Sequence, residues 1–265
     1  MKRLVILAVL ASMLPLSSYC QGTAPAFTRA EIEAASADPM RYTIDPESIR
    51  VELISKSAPA AAQEERGVIG TIVTIVNIAN KIWGIIKENA PVVEAETKYA
   101  AAVPESASSP NQLYAWQGPA AYEYRLRAKN MYGPETVSVT YKVLFSYGGK
   151  FDGKGAYLTG VTIVPGAMSV SWGYKLSMSA FVPDTTITNL GTYENPLAAM
   201  QLKLSTKIAS VLKEWDGNSV YLIKGDGGMK EIVSPFHAAL KVGDTPSTKA
   251  LLDPATVFGG PRDIK

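Results

Sequence analysis

The chain is nearly without the residues that most enzymatic centres and small secreted folds depend on. It has one cysteine, Cys20, and one histidine, His237. A disulfide needs two thiols, so this fold must rest on a hydrophobic core. Zinc needs several Cys or His ligands, and one of each excludes a structural or catalytic zinc site. No G-x-S-x-G elbow occurs, and Ser234, three residues before His237, matches no nucleophile–base spacing. The glycines at 148, 153 and 225–228 fit neither the phosphate loop nor the dinucleotide fingerprint, and read as hairpin turns. Asp152, Asp216 and Asp226 stand beside glycine as turn formers, outside the spacing of a calcium loop. No spacing singles out a glycosidase pair among the 24 acids.

An excess of charge is also missing. Loss of residues 1–22 would remove Lys2 and Arg3 and no acid, reducing 26 basic residues to 24 against 24 acids. A balanced chain has no long-range field to gather phosphate backbones, so no nucleic acid is expected as a partner. Nor is any cofactor expected.

One pronounced apolar run opens the chain. Lys2 and Arg3 precede it, it extends from Leu4 to Leu14, and Pro15 closes it, the order of a secretory signal. It is shorter than the roughly 20 residues of a membrane-spanning helix. Residues 1–22 are therefore expected to be a cleaved signal, cut after Cys20, Gly22 or Ala26, and the protein to be secreted or periplasmic. Lipid anchoring at Cys20 is the lesser alternative: Leu16 fits the lipoprotein pattern, but the bulky Tyr19 departs from it.

The mature chain of roughly 240 residues is long enough to bury a sizeable core, and 47% of the sequence is hydrophobic. Residues 23–66 are rich in Ala, Pro and Ser. Within them Thr28 and Glu31 form a capping box for a short helix through Ala35. Ile49, Val51 and Leu53 alternate with Arg50 and Glu52 as in a strand, and 57–66 reads as a linker.

In 67–90 the apolar residues recur at helical spacing, with Gly70, Thr74, Asn77, Lys81, Gly84 and Glu88 on the opposite stripe. The pattern predicts a long amphipathic helix ended by Pro91. Its many β-branched residues weaken helix propensity, so a buried strand over 69–78 stays open.

Two-residue alternation dominates the C-terminal half of the chain. Tyr122, Tyr124, Leu126 and Ala128 form one row, and Val137, Val139, Tyr141, Val143, Phe145 and Tyr147 another. A strand over 157–164 is expected to turn at Pro165-Gly166 into a long strand over 168–180, where Met168, Val170, Trp172, Tyr174, Leu176, Met178 and Ala180 share one face. Such a strand would span roughly 43 Å. Residues 197–212 form another extended stretch, Asp216-Gly217 signals a hairpin, and 237–265 reads as an irregular tail. Consecutive strands with short turns point to a mainly β fold: an antiparallel β-sandwich or partly closed barrel over 112–236, with the 67–90 helix packed on it.

Trp116, Tyr122, Tyr124, Tyr132, Tyr147, Trp172 and Tyr174 are candidates for a sugar or lipid-headgroup surface, or for core and rim. Arg125, Arg127 and Lys129 share one strand face beside Tyr122 and Tyr124, and these five are the candidate ligand surface. The leading functional expectation is an exported, non-catalytic binding or envelope-associated protein, with a membrane surface or envelope protein as partner.

A second expectation is insertion of the 67–86 helix into a membrane through Ile72, Ile75, Ile82, Trp83 and Ile86. The single charge, Lys81, would snorkel on its long stem. An exported chain with an apolar helix ahead of a β-sandwich resembles, in architecture alone, the actinoporin type of pore-forming protein. No motif of that family lies on these residues, so the resemblance implies no site. A hydrolase on a sandwich scaffold is the third expectation.

Overall fold

The computed structural model describes residues 27–57, 74–77, 82–92 and 99–234. The expected signal, Cys20, Ile72, most of the linker, His237 and the tail lie outside the described residues.

Helix α1 (Arg29–Ala37) forms where the capping box predicts it. The Glu31 amide donates to the Thr28 hydroxyl at 3.3 Å, and the Glu31 carboxylate accepts from the Thr28 amide at 2.7 Å. These contacts satisfy donors that a helix start otherwise leaves open. The remaining elements are almost all strands. They are β1 (Arg50–Ser57), β2 (Ile75–Asn77), β3 (Ile82–Lys87), β4 (Ala90–Pro91), β5 (Ala100–Pro104), β6 (Gln117–Lys129), β7 (Glu135–Phe151), β8 (Lys154–Val170), β9 (Tyr174–Phe181), β10 (Thr188–Asn189), β11 (Ala198–Ser210), β12 (Glu214–Lys224) and β13 (Met229–Val233).

They make an open, sandwich-like pair of antiparallel sheets. One sheet runs β1–β6–β7–β8–β5–β2; the other runs β13–β12–β11–β9–β3–β4, with β10 paired to β11. Each contains a meander of consecutive strands, β6–β7–β8 and β11–β12–β13, because tight turns favour pairing between sequence neighbours. The alternating apolar rows face inward and meet between the sheets. Tyr124, Leu126, Val139, Tyr141, Val143 and Phe145 from the first sheet are buried, as are Leu176, Met178, Leu202, Leu204, Tyr221 and Ile223 from the second. Strands upstream of residue 112 also belong to these sheets.

Several expectations are corrected. Asp216-Gly217 is not a hairpin turn, since both residues pair with β11 inside β12, and Gly148 lies within β7. The long helix over 67–90 is contradicted wherever that segment is described: 75–77 and 82–87 are strands, and α1 is the one α-helix among the described residues. Within 82–87 a β-bulge imitates that spacing, bringing Trp83 and Ile86, three residues apart, to one buried face. Gly84 pairs with Ser179 and Ile86 with Met178, so Ile85 is an extra residue, and Ile85 and Ile86 are both buried although adjacent. The β-branched residues that weaken a helix suit a pleated sheet.

The 168–180 segment is not one strand. β8 ends at Val170, the chain turns at Ser171-Trp172-Gly173, and β9 starts in the opposite sheet. Pro165-Gly166 is not a turn but lies within β8. Val139 pairs with Met168 and Tyr141 with Pro165, which leaves an extra residue on β8. Proline is tolerated there because β5 pairs with β8 only near Leu158 and Val161, leaving that edge open at Pro165 among the described residues.

Candidate functional site

At one end of the sandwich three segments far apart in sequence converge: 38–42 after α1, the β6–β7 turn at 130–136, and the β8–β9 corner at 171–174. They enclose a cleft of about 350 Å³. Its walls are aromatic, from Tyr42, Tyr132, Trp172 and Tyr174, and its charged groups are Asp38, Arg41 and Glu135.

The floor is tightly tied. The Tyr42 ring packs edge-on to Trp172, with centroids 5.9 Å apart and planes at 75°, and stacks on Tyr174 at 6.4 Å and 23°. These are the offset and perpendicular arrangements that ring quadrupoles favour. The Tyr174 hydroxyl donates to the Arg41 carbonyl. Burial, reinforced by Tyr42, pushes the Tyr174 phenol up to about 12, so it remains a neutral donor at ordinary pH. Asn130 is buried with both ends of its amide used. Its Nδ2 donates to the Arg41 carbonyl at 3.2 Å, and its Oδ1 accepts from the Tyr132 amide at 3.0 Å.

The corner needs its glycine. Gly173 has φ +82°, and a Cβ there would lie 2.6 Å from the Tyr42 ring, so Tyr42 rests on bare backbone. Glu31 binds α1 to this corner. Its burial raises the carboxyl pKa, but hydrogen bonds from the Thr28 amide and hydroxyl and the Gly173 amide, with the Lys175 charge, hold it below the ordinary range.

The rim is open. Trp172 is 55% exposed and Tyr132 58% exposed. The Tyr132 hydroxyl donates to Asp38 Oδ1 at 3.0 Å, and the same oxygen accepts from the Arg41 amide at 3.3 Å. These contacts fix the Tyr132 ring, while the Glu135 side chain lies exposed at the start of β7.

Of the aromatic residues singled out in the sequence, the fold brings Tyr132, Trp172 and Tyr174 together here. Tyr122, Tyr124 and Tyr147 are core residues. Trp116 lies toward the far end of β7, against Gly149. The five-residue surface is divided by the pleat. Tyr122 and Tyr124 point into the core, whereas Arg125, Arg127 and Lys129 belong to the outward row, because successive strand side chains point to opposite faces.

That outward row is cross-linked. Both Glu52 carboxylate oxygens accept from Arg127 at 2.8 Å, and Lys142 lies 4.0 Å from Glu123. Of the proposed membrane-active residues, Trp83 and Ile86 are buried in the core, Ile75 is half-buried on β2, and Ile82 belongs to β3.

Sequence reasoning misses Asp38, Arg41, Tyr42 and Glu135 as site residues. No local spacing marks them, since they acquire a common purpose only when the three segments meet. Trp172 does carry a signal, a large aromatic between Ser171 and Gly173, where a corner leaves it uncovered. No protein-family model matches the chain, and neither a curated protein nor a solved structure matches it.

Proposed function

We propose that this is an exported, non-catalytic binding protein that presents the 38–42/130–136/171–174 cleft to a ligand of the cell envelope or its surroundings. Export rests on the signal-like order of residues 1–22. Binding rests on one observation above all: two large aromatic side chains, Trp172 and Tyr132, stand more than half exposed over a cleft whose floor is held by hydrogen bonds. Water-exposed aromatic surface is unfavourable unless a partner covers it, and a fixed floor reduces the entropy lost when one does. Loops at the end of a sandwich are where such scaffolds commonly place recognition.

Emission from Trp172 is the direct test, because Trp83 and Trp215 are buried and Trp116 lies partly buried against Gly149, toward the far end of β7. A ligand that shifts the emission and raises the melting temperature of the intact protein, but does neither in Trp172→Ala, supports the reading. Binding that survives both Trp172→Ala and Tyr132→Ala places the site elsewhere.

One observation favours a hydrolase as the second reading: two carboxylates, Asp38 and Glu135, line the same cleft. Release of a cleavage product that stops in Glu135→Gln would replace binding with catalysis.

A further inference from the structure

We infer that the cleft takes a neutral sugar ring within a glycan chain, laid against Trp172 and Tyr132. This assignment rests on the binding reading above and names its ligand class.

The groups present select the chemistry. A pyranose has a face of C–H bonds that covers an aromatic ring, and an edge of hydroxyls that both donate and accept hydrogen bonds. The exposed indole of Trp172 and phenol ring of Tyr132 offer two such surfaces. Arg41 and Glu135 line the cleft and are exposed; a guanidinium only donates and a carboxylate only accepts. A hydroxyl can satisfy either.

Other ligand classes fit part of this set. An acyl chain would desolvate the charges of Arg41 and Glu135 without pairing them. An organic cation would gain from the rings and carboxylates but face the Arg41 charge. A phosphate would gain from Arg41 and face two carboxylates. A neutral polyol with one apolar face uses all of these groups.

Size and shape agree. About 350 Å³ is near the lower end of ligand pockets, roughly 300–1,000 Å³, and suits a short stretch of sugar rather than a large cofactor. The open rim lets neighbouring rings of a chain continue into solvent on either side. Tyr42, edge-on to Trp172 and backed by Gly173, holds the indole before the sugar arrives, so little rotamer freedom remains to be lost.

The test titrates the intact exported protein with soluble hexasaccharides of glucose, mannose and N-acetylglucosamine, and separately with choline chloride, inorganic phosphate and phosphatidylcholine vesicles, following tryptophan emission and calorimetric heat. At least one hexasaccharide is expected to bind. Trp172→Ala should weaken it about tenfold or more, the usual scale for losing an anchoring aromatic, while Tyr132→Phe, which keeps the ring, should change it much less than Tyr132→Ala. An unchanged melting temperature in Trp172→Ala shows that the fold is intact. Trp172-dependent binding of choline, phosphate or vesicles with none of any hexasaccharide overturns the sugar assignment and leaves the binding reading standing. No Trp172-dependent binding to any of these probes at millimolar concentration overturns both.

Discussion

The hydroxyls of Tyr141 on β7 and Tyr221 on β12 meet 2.8 Å apart in the middle of the core, one from each sheet. Tyr124 packs against both rings, with centroids 5.6 Å from Tyr141 and 5.1 Å from Tyr221. Burial raises the Tyr141 phenol, and the Tyr221 and Ser219 hydroxyls partly offset that rise. A buried hydroxyl is tolerated only when paired, so this contact helps fix the register between the sheets.

Removing either hydroxyl of that pair strands the other. Tyr141→Phe and Tyr221→Phe should each cost about 1–3 kcal/mol. The double variant should cost less than the sum of the two. Urea unfolding of all four proteins in a double-mutant cycle measures this coupling.

Alkaline pH should unfold the protein through its buried phenols. Burial raises Tyr124, Tyr141, Tyr174 and Tyr221 above the ordinary value, Tyr174 to about 12. A group whose folded pKa lies above its unfolded value contributes stability that is complete below the unfolded value, about 10 for tyrosine, and is lost as pH rises through the folded one. The urea midpoint should therefore show no tyrosine-linked fall below about pH 9 and should drop above about pH 10. Phenolate absorbance should rise in two stages, exposed tyrosines first and the buried set only with unfolding.

Adjacent residues of the β8–β9 corner should separate stability from binding. Gly173→Ala forces a side chain into positive φ and against Tyr42, at a cost of about 1–3 kcal/mol. Trp172→Ala removes a mostly exposed side chain and should change stability by less than about 1 kcal/mol. Both should lose the ligand, and thermal melts with the bound and free proteins distinguish the two effects. Loss of several kcal/mol in Trp172→Ala would mean that the indole is part of the core.

The opposite end of the sandwich depends on Gly225. A Cβ there would lie 2.0 Å from the Ala156 carbonyl oxygen. The backbone has little freedom to retreat, because the Gly225 amide donates to the Ala198 carbonyl at 2.7 Å and its own carbonyl accepts from the Gly148 amide at 2.8 Å. Gly225→Ala should destabilise by about 2–3 kcal/mol or more. Denaturant unfolding is the check, and a neutral result would show that β8 and β12 can move apart.

Some elements are plain in the sequence and others mislead. The Thr28–Glu31 box locates α1, because capping is a contact between residues three apart. The rows of β6 and β7 are equally legible, since along most of each strand buried residues alternate with more exposed ones. Trp83 and Ile86 imitate a helix because the bulge at Ile85 brings residues three apart to the same buried face. Trp172 mimics the continuation of an apolar row because the turn at 171–173 happens to preserve the two-residue phase while the chain changes sheets.

The sequence by itself determined which side chains of β6 and β7 face oil and which face water. That choice follows from a backbone period of two and needs no knowledge of a partner. Only the tertiary structure decided which strands pair, where the chain crosses between sheets, and that Asp38, Tyr42, Tyr132 and Trp172 share one cleft. Those outcomes depend on how distant segments pack against one another, and no periodicity along the chain encodes the distance between residue 42 and residue 172.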